Sequence, residues 1–476
     1  MSIIYNVSLN QDQQALRTAA EWDGKRWINR VVAGDDLKAI FGARWDKTSN
    51  PVLVRTDEAV GMTANAGVGF ATVVNDFDFA PIWGEFEEVM DTLGNVFVRI
   101  PKVYVKKLDG PSFLSRQVSK HRHPGYYLPW CFWDFTNNVE LPHIDVAKYK
   151  GSSEVIAATT RLRSLPNVYP LINTTIVNMR TFAQNNNVGG LAGYQQLDIH
   201  VVDLLQTLFY IEFATLNSQS IMSGFSTGQY SATHTATVAE TAVNRIIVAN
   251  AHADLFRVGQ TISIGTSLGG NQVFYGRIIT GITNFDASNR AISFDGAPVN
   301  IAVGNIVYNT GWRNGFSLGS IAATSGSQVS NTDGRWAMTY RGIESLYGDM
   351  WQFVDGVNIS DRQAWVCKNA AQYASNVFAH PYERLGYVNG ADNGSVTAMG
   401  FDAFNPFAQF SVAVGGSSTT FYSDSYWHGM EQRIALFGGS WANGSSLGVS
   451  SWFLNNSSAA ADVTLGGRLL KKPLFG

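Results

Sequence analysis

Charge is scarce in this sequence. Asp, Glu, Lys and Arg make up only 15% of it, against roughly 25% in typical domains. Asn, Ser, Thr and Gly must therefore supply the polar surface, a composition suited to strands and long ordered loops. The 34 basic and 37 acidic side chains nearly cancel to a net charge of −3. No basic run is longer than two residues, as at Lys106-Lys107 and Lys471-Lys472. No basic face of the kind that holds nucleic acid is visible, so nucleic acid is not an expected partner. The two cysteines, Cys131 and Cys367, are too few for a disulfide framework and form no metal-type pair. One bridge between them is open to them; two buried free thiols is the preferred reading. No run reaches the roughly 20 apolar residues of a membrane span, so no membrane insertion is expected. The start, Met1 to Val7, lacks the basic and apolar regions of a secretory signal. A protein of this kind working outside a cell would leave by another route, such as release inside an assembled particle.

What is present is enough for a large core. Hydrophobic residues are 45% of 476, and the length allows two to four domains. Residues 1–75 read as an N-terminal attachment segment, with a short helix at Gln11–Ala20 and a strand-turn-strand around Trp22-Asp23-Gly24-Lys25-Arg26-Trp27. From Asp76 to Lys107 the pattern is that of strands, clearest in Asn95–Ile100 and Lys102–Lys106. Tyr126, Tyr127, Trp130, Phe132, Trp133 and Phe135 follow, six aromatics in ten positions. They read as core, with a ligand platform as the alternative.

Two helices are expected. One starts at Asn173 or Thr174 and runs through Ala183. The other spans Asp198–Met222, with Asp198 as cap or first-turn anion and an almost continuous apolar surface. Such a helix must be packed on more than one side. Glu212 on it would then need a partner, and a buried structural ion pair is expected over catalysis. Residues 224–315 read as an all-β insertion, a small barrel or sandwich of short strands separated by Gly259, Gly265, Gly269-Gly270, Gly296 and Gly304. The third from Asn331 onward is rich in Gly, Ser and Asn but carries Trp336, Trp351, Trp365, Trp427, Trp441 and Trp452. It reads as long loops held by buried tryptophans rather than a flexible linker.

Several segments carry a resemblance. They are Arg341 to Gly356, Ala435-Leu436-Phe437-Gly438-Gly439-Ser440-Trp441-Ala442-Asn443-Gly444, then Gly448, Asn455 to Ser458, and Gly466-Gly467-Arg468-Leu469. Leu204 to Met222, Phe97 to Lys102 and the aromatic run near Pro129 add to it. Together they resemble the C-type-lectin-like fold of the formylglycine-generating-enzyme superfamily. Within it they are most similar to the variable ligand-binding proteins of diversity-generating retroelements and their phage tail relatives.

The resemblance implies an α+β chain: a C-type-lectin-like domain of two helices and mixed short strands, split as residues 76–223 and 316–476 around the insertion. In that frame Gly438, Gly439, Trp441 and Arg468 are scaffold, Arg468 satisfying loop carbonyls with its five donors. The segment between them forms the contact face, which implies receptor-binding roles for Ser440, Ala442, Asn443, Ser445, Ser446, Leu447, Ser450, Trp452, Leu454 and Asn455. Tyr422 and Tyr426, in the flanking stretch Phe421 to His428, join them by their paratope-like composition.

The function implied is that of a phage tail-tip or tail-fibre adhesin, a homotrimer carried on the virion beside other tail proteins. It would be made in the host cytoplasm and bind a host surface receptor, protein or glycan, through loop 440–455. One alternative is a virion structural protein, of baseplate or head fibre, that uses the same fold for assembly. Another is a polysaccharide-cleaving tail enzyme drawing on Asp349, Asp355, Asp424 or Glu431. No activity, cofactor or metal is expected: the cysteines do not match the superfamily's oxygenase pair, and no catalytic elbow, phosphate loop or histidine cluster at ligand spacing is present.

Overall fold

The computed structural model describes residues 5–6, 19–22, 27–30, 39–48, 52–67, 73–224, 229–315, 337–385 and 393–473. Among the described residues strand accounts for 40% and helix for 12%, with three α-helices. The expected α+β class with two helices is thereby corrected to a mostly β chain. The main reason lies in the last third, where Gly-, Ser- and Asn-rich segments expected as loops pair into a nine-stranded sheet.

That sheet orders Tyr382–Arg384, Gln363–Cys367, Trp351–Ser360, Gln432–Phe437, Trp452–Leu454, Ser425–His428, Asn393–Gly400 and Phe410–Val414, with Leu465–Gly466 pairing in parallel beside Trp351. A four-stranded antiparallel sheet orders Val54–Asp57, Ile40–Asp46, Phe113–Ser119 and Tyr104–Asp109. Phe41, Ala43 and Trp45 alternate into the main core with the helix and the large sheet. The N-terminal unit expected over residues 1–75 is therefore not separate from Ile40 onward: its strands form the wall of the main body. Earlier, Ala19–Trp22 pairs with Trp27–Arg30 as a hairpin. Ala19 and Ala20 are strand, and the rest of the helix expected at 11–20 lies outside the described residues.

Helix α1 is Ile176–Gln184, capped by Thr175, whose hydroxyl accepts from the Asn178 amide at 3.2 Å. Helix α2 is Ile199–Phe213, capped by Asp198, whose carboxylate accepts from the Val201 amide at 3.0 Å. Every residue of α2 is buried, because it lies between the strands Trp351–Ser360 on one side and Phe113–Ser119 and Ile40–Asp46 on the other. Each large apolar side chain buried there contributes roughly 1.5–3 kcal/mol. The helix stops well short of Met222. Ala214 turns left-handed at φ 49°, and Arg55 donates to the last carbonyls, those of Ile211 and Glu212, closing the C-terminus.

A five-stranded sheet orders Tyr194–Gln196, Leu469–Lys471, His143–Ala147, Val96–Pro101 and Glu87–Met90. The end of the chain is thus inserted between strands from its first half. Residues 229–315 hold a second five-stranded sheet: Arg245–Ala249, Asn289–Phe294, Gly270–Asn284, Thr261–Ser267 and Ile306–Asn309. Thr235 bridges to Ile306 and Ala236 to Val248, so both sheet edges meet one short segment and the sheet curls around a core of its own. A short helix α3, Asn250–Ala253, lies on it. The Tyr169 and Tyr275 rings stack at 6.1 Å where this unit docks.

Candidate functional site

The segment expected to carry contact begins at a tight double turn. Gly438 and Gly439 both have positive φ, 89° and 87°. A Cβ on Gly439 would lie 2.5 Å from Cβ of Leu447, so only glycine passes here. Trp441 is fully buried against Met350 and Val463, and its amide donates to the Asp349 carbonyl at 2.9 Å. The Asp349 carboxylate in turn accepts from Lys150 Nζ and the Trp312 amide, both at 2.7 Å. Burial pushes the Lys150 ammonium down to about 8 against the pull of Asp349.

Arg468 is buried and distributes its donors across the join between the two halves of the chain. It donates to Gln352 Oε1 at 2.8 Å and to the carbonyls of Ala147, Lys148, Glu344 and Ser345 at 2.8–3.1 Å. A lysine could not reach five acceptors in this fan.

Most of the expected contact positions lie inside. Ser440, Leu447, Ser450, Trp452, Leu454, Tyr422 and Tyr426 are all buried, at 1% exposure or less. The contact roles expected for these seven are corrected to core roles. The physical reason is a set of bonds from beneath. The Gln206 amide donates to the Val449 carbonyl at 2.8 Å, the Gln219 amide to that of Leu447, and the Val449 amide donates to Ser218 Oγ at 3.1 Å. The Ser450 amide donates to Asp424 at 2.7 Å, and Ser450 Oγ shares a 2.6 Å bond with the Tyr210 hydroxyl. Trp452 packs its ring on Phe410 at 4.9 Å and Phe437 at 5.5 Å. Ala442, Asn443 and Asn455 are exposed and Ser446 is half-buried; the side chain of Ser445 lies outside the described residues.

Nor do the acids weighed for hydrolysis form a pair. Asp355 is held by Arg180 through two bonds of 2.6 and 2.8 Å, Asp349 by Lys150, and Glu431 is exposed beside Arg433 at 3.3 Å. Asp424 is fully buried, and that burial raises its carboxyl well above the usual range. Glu212 pairs with Arg341, whose Nε lies 2.9 Å away and whose Nη1 meets Asp78. Both cysteines are free and buried.

The open concavity lies elsewhere. Where the four-stranded sheet meets the hairpin Asn393–Gly400/Phe410–Val414, a groove of about 500 Å³ is lined by Trp45, Leu114, Met399, Val412, Val414 and Phe421. Asp46, Thr48, Thr397 and the ion pair Lys47–Asp109 add polar groups. Phe410–Val414 is the last strand of its sheet, so its outer edge has no strand partner among the described residues. An apolar floor with a few charged groups is the usual build of a ligand site. These residues come from four separated segments, and no local pattern marks them. Phe421 alone lies in a stretch singled out from the sequence, and it stands out structurally by its φ of 55°. No family model and no curated protein matches this chain.

Proposed function

We propose that this chain is a receptor-binding adhesin of the phage-tail kind, taking part of a host surface molecule into the groove between Trp45 and Val414. The groove is the observation that carries the binding role; the phage setting, the virion location and a trimeric assembly rest on the sequence resemblance. No helix among the described residues is long and apolar enough to cross a membrane. Contact through the fully buried part of segment 440–455 is replaced by contact through the groove, with exposed Ala442, Asn443 and Asn455 outside it. The insertion, with its own core, favours a second use of that unit as a contact to neighbouring virion proteins.

The test is retention of the labelled full-length chain on intact bacterial cells across a strain panel. At least one strain should hold the wild type, Val414→Arg should weaken retention at least tenfold, and Asn443→Arg should leave it unchanged. Equal retention of Val414→Arg, once its melting curve matches wild type, sinks the groove; retention by no strain sinks the adhesin. Light scattering of the purified chain should give three copies.

A further inference from the structure

The aromatic run after Pro129 divides in an unexpected way. A single 3-10 turn, Trp130–Phe132, buries Cys131 and Phe132 completely. It thereby leaves Trp130 and Trp133 half-buried at the surface, together with Phe135 and, from a distant loop, Phe407. The four rings form one cluster centred on Trp130, which lies 5.5 Å from Phe135, 5.4 Å from Phe407 and 6.3 Å from Trp133. The loop that brings Phe407 is tied down at Pro406, whose carbonyl accepts from the Tyr127 hydroxyl at 2.8 Å and Lys107 Nζ at 2.9 Å. Phe404, three residues before Phe407, is 94% exposed, held out by a turn in which its amide donates to Asp402 at 2.7 Å.

We infer that this cluster is a stacking platform for the hexose rings of a neutral polysaccharide, a site separate from the groove. Rings that brace one another are already ordered, so stacking on them costs little side-chain entropy. Their electron-rich faces suit the weakly positive C–H face of a pyranose. The surrounding charges argue for an uncharged occupant, because those at the surface are already answered and Lys472 is buried, donating to the Trp130 carbonyl at 3.3 Å. Lys368 sits 5.5 Å above Trp130 but donates to both oxygens of Glu383 at 2.8 and 2.9 Å. Glu140, directly across from Trp133, is held by Lys102 and Arg122. Asp134 accepts from Thr136 and Asn137 in its own turn. A single-stranded nucleic acid would also stack, yet it needs uncommitted cations along its backbone. Lys368 and Glu383 can still offer bonds to sugar hydroxyls.

Affinity electrophoresis of the full-length chain tests this, in gels containing dextran, mannan or galactan, and in parallel gels containing heparin or poly(dT). At least one neutral polysaccharide should retard the wild type, and Trp133→Ala should weaken that retardation at least tenfold while the groove variant Val414→Arg does not. Should Trp133→Ala fail to fold, Phe135→Ala carries the same comparison. Three results overturn the platform: no retardation by any neutral polysaccharide, retardation by the polyanions alone, or equal retardation of the folded platform variants.

Discussion

The backbone amide of Ser450 donates at 2.7 Å to one oxygen of the Asp424 carboxyl, and the other oxygen has no hydrogen-bond partner. Asp424 is completely buried, and among the described residues no lysine or arginine pairs with it. Burial without a cation disfavours the carboxylate, so the folded chain holds Asp424 as the neutral acid well above the usual range.

The sign of its pH effect follows. A folded pKa raised above the unfolded value, roughly 4, gives a contribution fully present below pH 4 and lost as pH rises through the folded value. Asn cannot ionise and keeps the same acceptor for Ser450. Asp424→Asn should therefore raise the melting temperature at pH 8 and leave it unchanged near pH 4. Every tenfold by which folding tightens the carboxyl's hold on its proton is worth about 1.4 kcal/mol. Urea unfolding across pH 4–8 checks this; a loss of stability of equal size throughout would show that the proton is not held.

The Arg341–Glu212 pair lies in the core beside the end of α2, both side chains at 2% exposure or less. Burial opposes the charge on Arg341, yet the Glu212 carboxylate outweighs it and pushes the guanidinium up. Arg341→Met strands Glu212 and should cost about 3–5 kcal/mol. Adding Glu212→Leu should recover most of that loss. Chemical denaturation of the two variants decides it: a double variant as unstable as the single one would mean the pair does more than answer its own charges.

Trp452 offers a direct contrast between contact and core. Packed on Phe410 and Phe437 with no exposure, it should cost roughly 3–5 kcal/mol when cut to alanine. Any loss of cell binding should then track loss of folded protein. A Trp452→Ala chain with wild-type melting but no retention on cells would return the residue to the surface.

Gly439 is constrained twice, by its positive φ and by Leu447 beneath it. Gly439→Ala should destabilise by about 1–3 kcal/mol, whereas Gly444→Ala, with open space around its Cβ position, should cost no more than about 1 kcal/mol for its φ of 63°. Paired thermal melts separate steric from backbone cost.

Some features were legible because they depend on neighbours in sequence. Asp198 caps α2 where a small acid precedes an apolar run, and the glycine-punctuated strands of 229–315 curl around their own core. The continuous apolar surface of α2 announced that two layers would cover it. Other features were not legible, because they depend on what lies across the fold. The partner of Glu212 stands 129 residues away, and a left-handed Ala214 ended α2 where composition would have carried it on.

Sequence by itself determined which side chains share a face, while it was the resemblance that assigned Arg468, Gly438 and Gly439 to positions where carbonyls crowd or Cβ atoms do not fit. Only the tertiary structure decided whether a second layer covers a face. Ser450 and Trp452 look like surface residues in a polar loop, but α2 and the large sheet reach them from below with hydrogen bonds and rings. Trp45 and Val414 look like ordinary strand residues, yet they come from two different sheets and together line a groove. Alternation and turn residues are properties of a few bonded neighbours, whereas burial is set by segments that meet only after the chain has closed on itself.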